Sequence, residues 1–276
     1  MIDYLAIGHV TEDVWRDGSR TAGGGVMYSS RTARRLTNNV AIFTTAALSF
    51  DTTGTFPDMR VQRLISAKTT EFENIYTAQG RVQVTRPSPT ILEPQDCFFL
   101  REAEIVHLAP VCNEVSSAFV DGVRRDAFVG LTPQGWLRRW DASGHVTQDA
   151  AYWTDAGKLL ARANCVVTSI EDINGDWQTA YKWAAQTRLL IVTQGAEGCT
   201  AFINGEGVRV AAPQVTEVEP TGAGDIFAAT LFISLKRGND SLSACAFACC
   251  IAAQSVTRPK LEGLPTAEDI RRCSED

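Results

Sequence analysis

The sequence predicts an α/β domain built on a mainly parallel sheet with helices on both faces. Three observations carry that expectation. Short apolar runs such as Tyr4-Leu5-Ala6-Ile7, Val40-Ala41-Ile42-Phe43 and Leu189-Leu190-Ile191-Val192 recur along the chain. Helical patterns separate most of them, and strands that alternate with helices pair in parallel beneath two helical layers. With 276 residues the chain is long enough to bury one large core, so residues 1–276 are expected to form a single domain.

Taken in order, Tyr4-Leu5-Ala6-Ile7-Gly8 reads as a strand that ends in the polar segment His9-Val10-Thr11-Glu12-Asp13. Ligands bind at the carboxyl edge of parallel strands, so Thr11 and Asp13 are candidates for holding substrate hydroxyls, with an ordinary loop aspartate as the alternative. Residues 14–21 read as a hairpin around Asp17-Gly18. Ala22-Gly23-Gly24-Gly25 then precedes a helical pattern over 26–36. The three glycines Gly23, Gly24 and Gly25 would let a ligand approach bare backbone, or would simply make a flexible turn. Residues 40–46 and 61–65 are further strands.

Residues 70–77 and 81–85 alternate with period two around Ala78-Gln79-Gly80, which predicts a second hairpin. Segments of about 14–22 and 69–87 together suggest a small β-lid over the Asp13/Gly24 edge. Its apolar side (Phe72, Ile75 or Tyr76) could close on the same domain or meet a second subunit as a homodimer. Beyond it the pattern gives a strand at 105–109, a helix at 114–125 and a strand at 127–131. Trp136 and Trp140 are four apart and are expected on one face of a helical turn. Gln134 and Arg138 share that spacing and could point into a site or into solvent. Strands at 165–168 and 189–193 flank a helix at 176–186, and an antiparallel pair follows at 199–203 and 207–211.

The most informative stretch is Pro220-Thr221-Gly222-Ala223-Gly224-Asp225. The alternating Gln214-Val215-Thr216-Glu217-Val218-Glu219 before it reads as a short strand, and the apolar run after it as a helix ending at Lys236-Arg237-Gly238. Glycines at a strand-to-helix junction let several N–H groups converge on an anion, where the helix dipole adds positive potential. Asp225 in the first turn can reach the same place. That combination suits phosphoryl transfer to a hydroxyl, with Asp225 as base; an Asp that merely caps a buried helix is the alternative. A small-residue helix follows, residues 241–253.

Bulk properties remove other classes. A net charge of −6 supplies no basic field for nucleic acid. No apolar run reaches membrane-spanning length, and the N-terminus lacks the features of a signal peptide, which together suggest a cytoplasmic protein. The 8 Cys lack the spacing of a disulfide framework, and Cys245, Cys249 and Cys250 read as buried small hydrophobes. With no CxxC and 3 His, a structural zinc site is not expected. GxxxxGK[ST], GxGxxG and GxSxG motifs are all missing.

Glu219-Pro220-Thr221-Gly222-Ala223-Gly224-Asp225-Ile226-Phe227 closely resembles the C-terminal signature of the ribokinase/PfkB family of carbohydrate kinases. Gly8 through Asp13 is similar to the family's first strand with its substrate-binding Asp, and Gly23-Gly24 to its early di-glycine. Val192-Thr193-Gln194-Gly195-Ala196-Glu197-Gly198 is similar to its nucleotide-side loop. The resemblance implies a ribokinase-like three-layer sandwich with a β-lid, ATP as donor, Mg²⁺, and transfer of the γ-phosphoryl group to a polyol. It implies Asp225 as general base and the amides of Gly222, Ala223 and Gly224 as an anion hole. Asp13, Thr11, Gly23, Gly24, Tyr28, Gln134 and Arg138 would face the substrate. Thr193, Gly195, Glu197, Gly198, Thr221 and Cys249 would face the nucleotide, and Asp172 would act indirectly on the metal. Some members also use a monovalent cation, for which the sequence assigns no residues.

Four positions depart from the family pattern. Tyr28 stands where many members carry Asn, Ser169/Asp172 where an Asn-x-x-Glu pair organises metal and phosphates, Glu219 for Asp, and Cys249 for an Asn near the adenine. The lid segment 69–74 and Gln134…Arg138 resemble the plant inositol-kinase branch, which hints at a cyclitol. The alternatives are a nucleoside kinase, or a regulatory homologue that binds without turnover.

Overall fold

The structure, a computed structural model, describes residues 1–15, 18–77 and 80–275. The N-terminal half runs β1 (Ile2–Ile7), β2 (Thr11–Val14), β3 (Arg20–Gly23), α1 (Gly25–Leu36), β4 (Val40–Ala47), α2 (Thr52–Thr55), β5 (Arg60–Ser66), β6 (Thr70–Thr77), β7 (Gly80–Arg86) and β8 (Ala103–Leu108). It continues through α3 (Phe119–Gly122), β9 (Phe128–Leu131), β10 (Arg138–Trp140), β11 (Val146–Gln148), α4 (Ala156–Arg162), β12 (Cys165–Ser169) and α5 (Trp177–Ala184). The last part holds β13 (Leu189–Thr193), β14 (Cys199–Ile203), β15 (Glu206–Val210), α6 (Ala223–Lys236), α7 (Ser241–Ser255) and α8 (Ala267–Glu275).

A 9-stranded sheet of order β15-β14-β13-β12-β9-β8-β1-β4-β5 forms the centre. It is parallel from β5 to β13, and β14 and β15 add an antiparallel margin. Alternate residues of each buried strand serve opposite layers, as the pleat dictates. Tyr4, Ala6, Ile42 and Ile191 face α1, α6 and α7. Leu5, Ile7, Phe43 and Leu190 face the other layer, with Phe119, Leu160 and Trp183. Helix α6 is apolar nearly all round, as suits a helix packed between α1, α7 and the sheet. Helix α7 starts at Asp240, whose carboxylate accepts the N–H groups of Leu242 and Ser243.

The lid is a separate 4-stranded sheet of order β3-β2-β6-β7. Both expected hairpins are present, and they join through a parallel β2–β6 pairing. The turn residue Asp17 and the loop residues Ala78 and Gln79 lie outside the described residues, as does the side chain of Tyr76. Phe72 is buried against Val111 and Cys112 of its own domain. No helix among the described residues is long and apolar enough to cross a membrane.

Four expectations are corrected. Residues 214–219 form no strand. They run extended beside α7, where the N–H groups of Val218 and Glu219 reach the Val256 carbonyl and no sheet neighbour is offered. The helix expected at 114–125 shrinks to α3, because Glu114 turns inward. Its carboxylate accepts N–H groups from His9 (2.8 Å), Val111 (3.0 Å) and Cys112 (2.7 Å), closing a tight loop in which Asn113 takes φ 59°. Local side-chain acceptors of this kind compete with helix formation.

Trp136 and Trp140 do not share a helical turn: a 3₁₀ segment over Pro133–Leu137 gives way to β10. Trp136 stacks on Trp153 instead, with centroids 5.4 Å apart. Finally, Cys250 is not a free thiol but is bonded to Cys273, tying α7 to α8.

Candidate active site

The carboxyl ends of β1, β8, β9, β12 and β13 open on one cavity of about 540 Å³, with the lid on one side and the N-terminus of α6 on the other. Thr11, Asp13, Gly24, Tyr28, Gln134 and Arg138 line it, as do Thr193, Gly195, Gly198, Thr221, Cys249 and the Gly222-Ala223-Gly224-Asp225 run.

Gly222 caps α6 in the left-handed conformation, φ 83°, and a side-chain carbon there would lie 2.4 Å from the Tyr28 ring. Only glycine meets both demands. Gly224 is different: apart from its chain neighbours and the adjoining backbone of its own helix, nothing among the described residues stands within 4 Å of where its side-chain carbon would be. Glycine inside a helix costs ~1 kcal/mol against alanine, so packing within the protein gives no reason for it; room for a ligand does. The Ala223 N–H is spent on the Pro220 carbonyl at 3.1 Å, which corrects its expected place among the anion-hole donors. Gly224 and Asp225, next in α6, find no acceptor for their N–H groups among the described residues. Unpaired N–H groups at a helix start are an anion-binding feature. Glu219 holds the approach, accepting from the Thr221 N–H at 3.0 Å.

Asp225 is half-buried by surface, because one side meets the cavity, yet protein crowds it on the others. Loss of hydration pushes its carboxyl up to about 7; Arg138 opposes the rise and Asp172 adds to it. Arg138 is buried, donates to the Val111 carbonyl at 3.2 Å and lies 5.3 Å from the Phe72 ring centre of the lid. Asp172 accepts from Gln134 Nε2 (3.0 Å), Gln148 Nε2 (2.7 Å) and the Ser169 N–H (3.1 Å).

At the start of α1, Gly24 takes φ 88° and a side-chain carbon would strike the His9 carbonyl at 2.8 Å. Gly23 does not line the cavity but backs the Asp13 carboxylate, where a side-chain carbon would lie 2.6 Å from Oδ2. The Thr11 hydroxyl is buried without a hydrogen-bond partner among the described residues. Burial of Tyr28, with Asp13, Asp225 and Glu219 around it, pushes its phenol well above the usual range. Glu197 lies off the cavity, exposed and paired with Arg209 at 2.8 Å. Cys249 lines the wall, with its Sγ 3.8 Å from that of Cys199.

The sequence reading missed several lining residues. Thr132, Val215 and Val256 carry no motif, and each reaches the cavity only through the fold, whereas Gly25 belongs to the early glycine run and lines the cavity as expected of it.

Comparison with known proteins gives a consistent picture. Residues 165–267 match the model of the pfkB family carbohydrate kinases. A fructokinase of Rhizobium leguminosarum bv. trifolii is 28% identical over 58% of this chain and 49% of its own length. An inositol 3-kinase of Zea mays is 31% identical over 48% of this chain and 34% of its own. The chain thus spans half or less of these two relatives. A cytidine kinase of Thermococcus kodakarensis is 23% identical over 86% of this chain and 90% of its own. Among solved structures, a pyrophosphate-dependent kinase of the ribokinase family, complexed with a pyrophosphate analog and myo-inositol, superposes with TM-score 0.80 at 22% identity (97% of this chain, 99% of that one). The ribokinase of Thermotoga maritima does so with TM-score 0.75 at 16% identity over 100% of both chains. The fold is therefore the ribokinase fold.

Proposed function

We propose, from the match of residues 165–267 to the pfkB family of carbohydrate kinases, that the chain transfers the γ-phosphoryl group of ATP, with Mg²⁺, to one hydroxyl of a small sugar or cyclitol. The observation that carries this reading is the bare backbone of Gly224 beside the half-buried Asp225, in one cavity with Thr11, Asp13 and Gly24. Asp225, with its carboxyl near 7, takes the proton of the attacking hydroxyl. The N–H groups at the start of α6 and its dipole stabilise charge on the phosphoryl group in flight. Thr11, Asp13 and Arg138 hold the remaining hydroxyls, and the lid sheet excludes water from the transfer.

Both implied partners fit the residues present. Val215, Ala253 and Val256 give the cavity an apolar wall suited to a flat base. Among the described residues no three His, Cys, Asp or Glu form a metal cage. Mg²⁺ does not need one, since it binds largely through phosphates and its own waters. Bound there, it would neutralise donor phosphate charge, with Asp172 and Ser169 ordering its water shell. The apolar wall favours ATP over pyrophosphate as donor.

The resemblance to the maize inositol 3-kinase supports a cyclitol. The cytidine kinase similarity, which spans most of the chain, supports a nucleoside as the second reading. Phosphoryl transfer from ATP or pyrophosphate should be measured across myo-inositol, D-fructose, D-ribose and cytidine. ATP with a polyol should stand out. Cytidine as the preferred acceptor would select the second reading, and no transfer by the folded protein would leave a binding homologue.

A further inference from the structure

One buried polar chain lies outside the chemistry above. The Tyr4 hydroxyl of β1 meets His107 Nδ1 of β8 at 2.6 Å, and His107 Nε2 meets the Thr132 hydroxyl at 2.9 Å. Tyr4 and His107 have no exposed surface, whereas Thr132, just after β9, lines the cavity. The His107 ring is also held edge-on by Phe232 of α6, with centroids 5.0 Å apart.

Donor and acceptor roles along this chain follow from burial. A neutral imidazole has one donor and one acceptor nitrogen. Burial pushes His107 down to about 3, so the ring stays neutral under ordinary conditions. A phenol with no contact to water must give its O–H to an acceptor, since leaving it unmade costs about 1–3 kcal/mol. Ser29 also stands near the Tyr4 hydroxyl but makes no hydrogen bond in this geometry, so Tyr4 donates to Nδ1, and the ring proton sits on Nε2 and is donated to the Thr132 oxygen. The Thr132 hydroxyl has an acceptor role filled from behind, and its own proton meets no acceptor among the described residues. The Thr132 main chain does not compete, because its N–H is given to the Leu108 carbonyl at 3.1 Å.

We propose that Thr132 is a specificity-determining residue of the acceptor pocket, a hydroxyl oriented by His107 that donates a hydrogen bond to an oxygen of the bound polyol. The inference rests on the kinase reading and deepens it. Most polar groups around a polyol can donate or accept by rotating; here His107 fills one of the two acceptor positions of the Thr132 oxygen, which leaves its proton to be donated. It selects an acceptor whose oxygen at that place can accept, and disfavours an analogue that lacks the oxygen.

The test uses the full chain with myo-inositol and its mono-deoxy analogues as probes, followed by calorimetry and by kinase assay. Thr132→Val should weaken myo-inositol binding about 10-fold and raise its KM alike, leaving the ATP KM within 2-fold. Thr132→Ser should restore both. One mono-deoxy analogue should bind the wild type and Thr132→Val equally, which a purely structural role would not produce. Tyr4→Phe, which frees the ring to take either tautomer, should give a smaller loss in the same direction. A wild type that binds and phosphorylates myo-inositol while Thr132→Val is unchanged overturns the Thr132 assignment alone. If the wild type binds none of the polyols, the kinase reading falls and the assignment with it.

Discussion

Gly25 faces Asp225: a side-chain carbon at Gly25 would lie 3.0 Å from Oδ1 of that carboxylate and 3.3 Å from the Ala109 side chain. The first residue of α1 and the third of α6 thus meet at one point, so two helix N-termini converge where the chemistry is proposed. The third glycine of Ala22-Gly23-Gly24-Gly25 thus leaves the Asp225 carboxylate room.

Gly25→Ala should accordingly lower kcat by about 10-fold or more through displacement of the base, since a 1 Å misplacement can cost about 100-fold. The melting temperature should change little, because alanine suits a helix. Gly224→Ala should fold at least as well as the wild type and lose phosphoryl transfer, since its new methyl enters only ligand space. Gly222→Ala should instead be destabilised, by its φ of 83° and by the Tyr28 ring. Thermal melts beside steady-state kinetics separate the three.

Asp225→Asn should reduce kcat by roughly 10²–10⁴-fold while donor binding by calorimetry is retained. Its stability carries a second signature. A carboxyl raised to about 7 in the folded state, from an ordinary value of 3.8, costs the fold stability as pH rises between those two values, and the cost is complete above the higher one. The asparagine variant should therefore melt higher than the wild type at pH 8, with the gap closing towards pH 4.

The pH profile of kcat/KM should fall on the acid side with a midpoint near 7, where Asp225 takes up its proton. Arg138→Met removes the charge that holds this value down and should move the limb to higher pH. Asp172→Asn removes a like charge and should move it lower. Limbs that stay in place in both variants would assign the titration to another group.

Shortening the lid by deleting residues 73–83 should raise ATP hydrolysis relative to phosphoryl transfer, because Phe72 then loses the sheet that carries it over Arg138. Measuring ADP and phosphorylated product together gives the ratio directly.

How much of this was legible in the chain depends on distance. The strand–helix alternation, both lid hairpins and the 220–225 run could be read because period and turn chemistry are local. Glu114 shows where local reading ends: a helix former by propensity, it is drawn into a loop by three N–H groups, one of them on His9. Thr132 escaped because it owes its place to residues far along the chain, and the contact of Gly25 with Asp225 was out of reach for the same reason. Glu197 was assigned by position in a loop, whereas its side chain turns to Arg209 and solvent.

Strand β2 carries Thr11 and Asp13, yet it belongs to the lid sheet, paired with β3 on one side and β6 on the other. Grip and cover are therefore one body. On the proposed function, an acceptor held by Asp13 would act on the whole lid through main-chain hydrogen bonds, whereas Thr193, Gly195 and Gly198, proposed for the donor, belong to no lid strand. Amide protection in β6 and β7 should therefore follow the acceptor's concentration and be indifferent to the donor's, which makes the alcohol the molecule that decides when the compartment shuts.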